Sequence, residues 1–161
     1  MKYTAPVLAL LLIPLAVQCN SRLPVEVPGV DIPGITAPRA SDEEQIVALL
    51  DEIHQGMESR RIFRVLAHVS RTYSDGEGRT YGDMQNYLND LFKRYKVIRI
   101  TRVRPIVEVH DTQARAVETF GTLAEPFNVA DDPPINLQGR VDVYLEKISG
   151  KWQIVEWGRV Y

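Results

Sequence analysis

The stretch that decides the fold is residues 69–95, VSRTYSDGEGRTYGDMQNYLNDLFKRY. A polar turn leads to Thr80, which with Asp83 has the spacing of a capping box and predicts the start of a helix. Apolar side chains then recur at intervals of three and four residues, the stripe of one helix face: Met84, Tyr87, Leu88, Leu91, Phe92 and Tyr95. So wide a stripe needs a large apolar surface to cover it, and the strands expected after it would supply one.

Two further helices are expected before this stretch. Ser41 and Glu44 have the spacing of another capping box, and acidic residues in the first turn favour the helix dipole. The apolar stripe of this first helix comprises Ile46, Leu49, Leu50, Ile53 and Met57. Ser59 is the candidate cap of a short second helix, whose inner side is expected to carry Ile62, Phe63 and Leu66.

After residue 96 the apolar period becomes strand-like. The expected strands cover residues 97–110, 114–127, 137–148 and 152–161. Alternation slips by one residue between Thr101 and Arg104, which predicts a bulge that bends the first strand. The last strand is apolar on both faces, which is typical of the middle of a sheet or of a covered face. The expected fold class is α+β, with three helices packed in a curved antiparallel sheet.

Composition limits the classes of function. The 161 residues are 45% hydrophobic and 25% charged, with a net charge of -2, which suits one soluble domain with tails and argues against a general polyanion or nucleic-acid binder. A single cysteine excludes a disulfide framework within the chain. No cofactor motif is present, and no cofactor is expected.

The first 18 residues have the features of an export signal. Lys2 is followed by an apolar run at residues 5–17, which is shorter than the ~20 residues that span a bilayer. Such a run before Cys19 resembles the signal of bacterial lipoproteins, which implies lipidation of this cysteine. Gln18 departs from the small residue of that pattern, so an ordinary secretory signal with an incidental Cys19 stays open. Asn20, where inner-membrane lipoproteins often have Asp, implies the periplasmic side of the outer membrane.

Residues 19–40 are expected to form a proline-rich tether between this signal and a domain at residues 41–161. Four prolines and the near repeat VPGV and IPGI favour an extended, semi-rigid linker. The valines and isoleucines leave a second interpretation open, in which the segment docks on the domain.

The order of three helices and a meandering antiparallel sheet resembles the nuclear-transport-factor-2-like superfamily, which includes the SnoaL-like proteins. The residues that carry the resemblance are Tyr73-Ser-Asp75, the turn Asp111-Thr-Gln-Ala114 and the ending Trp152-Gln-Ile-Val-Glu-Trp157. The resemblance implies a cone, the cystatin-like α+β roll, with a pocket at its open end. The superfamily contains isomerases, dehydratases, hydrolases and members without catalytic activity, so the fold does not fix the function.

Asp75 is the candidate catalytic residue, together with Tyr73. In a rough alignment Asp75 falls where the ketosteroid isomerases of this superfamily have their general base, and Tyr73 can share its face of an extended segment. The alternative is that Asp75 closes a turn before Gly76 and Gly78, as aspartate commonly does.

The other candidate residues are basic. His54, His68 and His110 are interpreted as surface, capped or turn residues, and no spacing predicts a metal site. The basic run from Lys93 includes Arg102 and Arg104, which are expected to share a strand face. These two arginines are candidates to bind an anionic ligand, a lipid headgroup or a partner. A solvated surface paired with acidic residues, Glu118 among them, is the alternative.

Three functions remain open from the sequence. The first is an envelope lipoprotein whose domain binds a small apolar ligand or an envelope protein without catalysis. The second is a periplasmic isomerase or dehydratase with Asp75 as general base, and the third is an accessory subunit held by the basic run. A monomer or a homodimer fits each of them, because the charged strand face from Arg140 to Glu146 allows a polar interface.

Overall fold

The computed structural model describes residues 40–161. The predicted signal peptide, the predicted lipidation site Cys19 and residues 20–39 of the predicted tether lie outside the described residues. Within residues 40–161, no helix has the length and apolar character needed to cross a membrane.

Three helices come first: α1 (Asp42–Glu58), α2 (Ile62–Leu66) and α3 (Tyr81–Arg94). Both predicted capping boxes are confirmed. In α1 the Ser41 N–H donates to Glu44 Oε2 at 2.8 Å and the Glu44 N–H donates to Ser41 Oγ at 3.2 Å. In α3 the Thr80 N–H donates to Asp83 Oδ2 at 2.8 Å. These local bonds satisfy amide groups that the first helical turn leaves unpaired, so the caps fix where each helix begins.

The prediction for α2 was wrong in its cap and for Phe63, whereas Leu66 is buried and Ile62 packs against the core as predicted. Ser59 ends α1, with its N–H donating to the Gln55 carbonyl at 3.0 Å, and Arg61 precedes α2 without a side-chain cap. Phe63 is 80% exposed, whereas Val65 is buried. The reason lies in α1, where Gly56 leaves room for Val65: a Cβ on Gly56 would stand 2.9 Å from Val65 Cγ2.

The sheet contains five antiparallel strands. They are β1 (Tyr95–Arg102), β2 (Ile106–His110), β3 (Gln113–Pro126), β4 (Ile135–Ile148) and β5 (Lys151–Trp157). The strand order is β1-β3-β4-β5, and β2 also pairs with β3. Since β4 occupies one side of β3, both β1 and β2 lie along the other side.

The first strand was predicted to be continuous with a bulge between Thr101 and Arg104, but the structure divides it into two strands at this point. Residues 103–105 separate β1 from β2, and Pro105 within this break has no N–H to donate to a ladder. The last strand is shorter than expected because β5 ends at Trp157. Beyond it the chain stays beside β4, since Tyr161 and Arg140 exchange two backbone hydrogen bonds of 3.0 and 2.9 Å.

The core lies between the helices and the concave face of the sheet. Ile46, Leu50 and Ile53 of α1 are fully buried and pack with apolar residues of β4 and β5, including Val143 and Ile154. The predicted alternation of β4 is confirmed: Val141, Val143 and Leu145 are buried, and the residues between them face outward. Residues of the helices and of the sheet also line a cavity.

Candidate functional site

The cavity has a volume of about 640 Å³ and is lined by all three helices, the segment 73–79, the strands β1, β3 and β4, and residues 157–160. Its walls are mainly apolar. Six of the lining residues are Ile53, Met57, Leu88, Leu91, Phe120 and Val141. Gly139 shapes the wall indirectly, because a Cβ there would stand 2.5 Å from the Val160 side chain. The size lies within the range of small-molecule pockets in proteins.

Glu118 is the most unusual polar residue in this cavity. Side chains alternate along β3, so that Ala116, Glu118, Phe120 and Ala124 face the helices. Glu118 is only 1% exposed. The interpretation that placed Glu118 on a solvated surface was therefore wrong, because the register of β3 turns its carboxyl inward.

Two side chains contact the Glu118 carboxyl. Oε1 lies 3.6 Å from His54 Nε2 and 3.4 Å from Arg102 Nη1. Burial raises the pKa of Glu118 to about 7, although the Arg102 charge opposes this shift. Burial lowers the pKa of His54, so its imidazole is neutral at pH 7. The carboxyl of Glu118 thus changes charge near neutral pH beside a neutral imidazole, and such a pair can exchange a proton with a bound molecule.

Arg102 and Arg104 do not form the common strand face that the sequence predicted. β1 ends at Arg102, whose side chain is 14% exposed and pairs with both Glu118 and Asp51 of α1. Arg104 lies in the break after β1, is 65% exposed and pairs with Glu43 at 3.1 Å. Arg102 therefore belongs to the surroundings of the cavity, whereas Arg104 belongs to the surface.

Asp75 lines the cavity but has its carboxylate engaged in a turn. Oδ1 accepts hydrogen bonds from the N–H groups of Glu77 and Arg79, both at 2.9 Å, and Oδ2 accepts one of 2.6 Å from Arg79 Nε. Burial raises the pKa of Asp75, but the hydrogen bonds from Arg79 and Glu77 outweigh it and the net pKa is lowered. An ionised carboxylate held in this way is a weak base, and the role of Asp75 in catalysis stays a prediction.

Tyr73 lines the same cavity and is only 3% exposed. Within the described residues, its buried hydroxyl has no hydrogen-bond partner of acceptable geometry. Burial, with the Asp75 charge, raises the pKa of Tyr73 to about 12, while the nearby Trp157 backbone acts in the opposite direction. The hydroxyl therefore keeps its proton at neutral pH.

The sequence did not indicate that Glu118 lies in the cavity, and His54 was interpreted as a surface or capped residue. The period-two pattern of β3 could have indicated that Glu118 faces the core, had its register been known. The remaining histidines stay outside the site: His68 is half-buried and His110 is exposed. Among residues 40–161, no three His, Cys, Asp or Glu side chains are grouped so as to hold a metal ion.

No protein-family model matches the chain, and no curated protein matches it. Solved structures do. A proposed scytalone dehydratase from Novosphingobium aromaticivorans has a TM-score of 0.64 at 12% identity, covering 73% of this chain and 82% of its own. A nuclear transport factor 2-like superfamily protein from Salmonella enterica has a TM-score of 0.61 at 14% identity, covering 72% and 87%. A hexachlorocyclohexane dehydrochlorinase has a TM-score of 0.61 at 15% identity, covering 71% and 80%.

At these identities the likeness concerns the fold. The chain has the nuclear-transport-factor-2-like fold, which is also described as cystatin-like. The resemblance expected from the sequence is confirmed at this level. The activity of a protein with this fold depends on the residues inside its pocket.

Proposed function

We propose that the domain binds a small, largely apolar molecule in the cavity between its helices and its sheet. The observation that carries this proposal is the cavity of about 640 Å³ with apolar walls and a few polar groups. Glu118 and Tyr73 would each offer a proton to an oxygen of the ligand. When Glu118 is protonated, the positive charge of Arg102 and the negative charge of Asp51 cancel. The site then has no net charge, which favours an uncharged ligand.

Native mass spectrometry of the purified protein tests this proposal. We expect a co-purified molecule of constant mass, and the same spectrum gives the number of subunits. Thr122→Trp places a large side chain in the cavity and is expected to abolish ligand retention. Thr119→Trp is the matched control, because Thr119 lies on the exposed face of the same strand. Equal retention by both variants would contradict binding in the cavity.

A second candidate function is acid–base catalysis of an elimination or isomerisation in the same cavity. The Glu118–His54 pair favours it, because two titratable groups in contact with raised and lowered pKa values can serve as acid and base. The neighbours described as a proposed dehydratase and a dehydrochlorinase support the same reaction class. Catalysis by Asp75, the alternative suggested by sequence, has less support, since its carboxylate is engaged by Arg79 and Glu77.

Glu118→Gln separates the two functions. The substitution keeps the size of the side chain but removes its capacity to transfer a proton. If the protein is an enzyme, the wild type retains product and the variant retains substrate, and for a dehydratase the two masses differ by one water. Identical retained masses would count against an elimination. An isomerisation conserves mass, so it is tested by the chromatographic retention time of the released molecule, which would differ between wild type and Glu118→Gln if the protein is an isomerase.

We further propose that the chain is exported and anchored at the periplasmic face of the outer membrane through Cys19. The apolar run before Cys19 and the proline-rich residues after it support this proposal. An acylated cysteine would hold the domain at the membrane, because several acyl methylenes would be buried. Cys19→Ser is expected to move the protein into the soluble fraction. Membrane association that survives this substitution would remove the lipidation proposal.

A further inference from the structure

We infer that Asp51 and Arg102 are positioning residues, which act together to set the charge that Glu118 carries inside the cavity. Neither residue has to touch the ligand for this role. The inference deepens the proposed function and rests on it for the use of Glu118 in binding, but the test needs no ligand.

Arg102 joins two carboxylates that lie on different elements. Its side chain extends from the end of β1 between α1 and β3 and is 14% exposed. Nη2 pairs with Asp51 of α1, and Nη1 lies 3.4 Å from Glu118 Oε1. The distance to Glu118 is long for a charged hydrogen bond, so Glu118 does not hold the guanidinium in a bidentate pair. One cation is therefore shared between a half-exposed carboxylate and a buried one.

Within residues 40–161, the other groups that face Glu118 carry no positive charge at pH 7, so the sharing of Arg102 affects the charge of Glu118. From α1 come His54, which is neutral at pH 7, and Asp51 through the guanidinium. Glu58, one turn after His54, acts on that imidazole. From β4 comes Val141, the apolar partner of Glu118 in the strand register. Arg102 is the charged group that stabilises an ionised Glu118, because its charge lowers the pKa of that carboxyl.

The net charge of Asp51, Arg102 and Glu118 depends on whether Glu118 is protonated. With Glu118 protonated, Asp51 and Arg102 sum to zero, whereas with Glu118 ionised they leave one net negative charge largely out of water. Loss of the Asp51 charge would free the guanidinium to form two bonds with Glu118 and would favour its ionised form. The cavity would then prefer amines over neutral molecules that accept a hydrogen bond from a protonated carboxyl.

The test is a ¹³C NMR titration of the glutamate carboxyl carbons in the purified, ligand-free protein, with the Glu118 signal assigned by its absence in Glu118→Gln. Asp51→Asn is expected to lower the Glu118 midpoint by roughly one pH unit. Asp51→Glu retains the charge and is expected to keep the midpoint. Glu43→Gln is the matched control: it removes the same charge from the same helix, but its partner is the exposed Arg104.

Arg102→Gln is expected to move the midpoint in the opposite direction, upwards. If that variant does not fold, Asp51→Asn decides alone, because Asp51 is half-exposed and its loss leaves no cavity. A Glu118 midpoint in Asp51→Asn that is unchanged, raised, or shifted no more than in Glu43→Gln would overturn the inference. Failure of the proposed function is seen separately, as equal ligand retention in the Thr122→Trp and Thr119→Trp variants.

Discussion

Removing a single oxygen from the buried Tyr73 is predicted to stabilise the protein. The Tyr73 side chain is 3% exposed, and within the described residues no hydrogen bond of acceptable geometry reaches its hydroxyl, although the Trp157 backbone lies near it. An unpartnered buried polar group costs about 1–3 kcal/mol, and Tyr73→Phe removes that cost while it keeps the apolar contacts of the ring. We therefore expect the free energy of unfolding to rise by about 1–2 kcal/mol and Tm to rise by roughly 3–5 °C for each kcal/mol.

Tyr95→Phe is the control, because the same substitution is expected to have the opposite effect on stability there. Tyr95 is also 3% exposed, but its hydroxyl donates to the Pro133 carbonyl at 3.0 Å. Its removal is expected to destabilise the protein by about 1 kcal/mol, because a bond is lost and a carbonyl loses its partner. Urea denaturation of the ligand-free wild type and both variants measures the difference. Destabilisation of Tyr73→Phe to the same extent as Tyr95→Phe would refute the reasoning.

Three other predictions concern packing and pH. Gly56→Ala is expected to lower the free energy of unfolding by about 1–3 kcal/mol, because the new Cβ would stand 2.9 Å from Val65. Gly82→Ala meets nothing nearer than 3.7 Å and should raise the free energy of unfolding by about 0.5–1 kcal/mol. Thermal denaturation measures both changes. The pKa of Asp75 is lowered in the fold, so its contribution to stability is present above its ordinary value of 3.8 and is lost as pH falls below it. In the Asp75→Asn variant, the free energy of unfolding should therefore fall less steeply with decreasing pH below 3.8 than in the wild type. The pKa of Glu118 is raised to about 7, so its contribution is complete below 4.5 and is lost as pH rises to 7; Glu118→Gln should gain up to about 3 kcal/mol relative to wild type over that interval, and a constant difference would contradict the raised pKa.

Features that depend on neighbours in the sequence were predicted correctly. The capping boxes at Ser41 and Thr80 involve residues three positions apart, and the alternation of β4 follows from its own side chains. The irregularity near Pro105 was visible as a slip of phase, although a bulge was expected and not a break. The existence of a pocket came from the resemblance to a superfamily and from no single residue.

Features that depend on distant contacts were not predicted. The five residues of α2 contain too little periodic information to choose a face, and Gly56 of another helix decides that Val65 is buried. Glu118 looked like a partner for surface arginines, because charge alone does not tell which side of a strand faces the helices. Arg102 likewise looked like a surface residue until β1 and α1 placed it between two carboxylates.

The absence of a side chain at Gly139 has a consequence for how the protein could change during evolution. Any larger residue there would displace Val160 and the adjoining backbone, since a Cβ on Gly139 would stand 3.1 Å from the Tyr161 carbonyl oxygen. The width of the cavity would thus change with a substitution at one position that lies outside the apolar core. A change at this position would then alter the cavity while Glu118 and His54 stay the same.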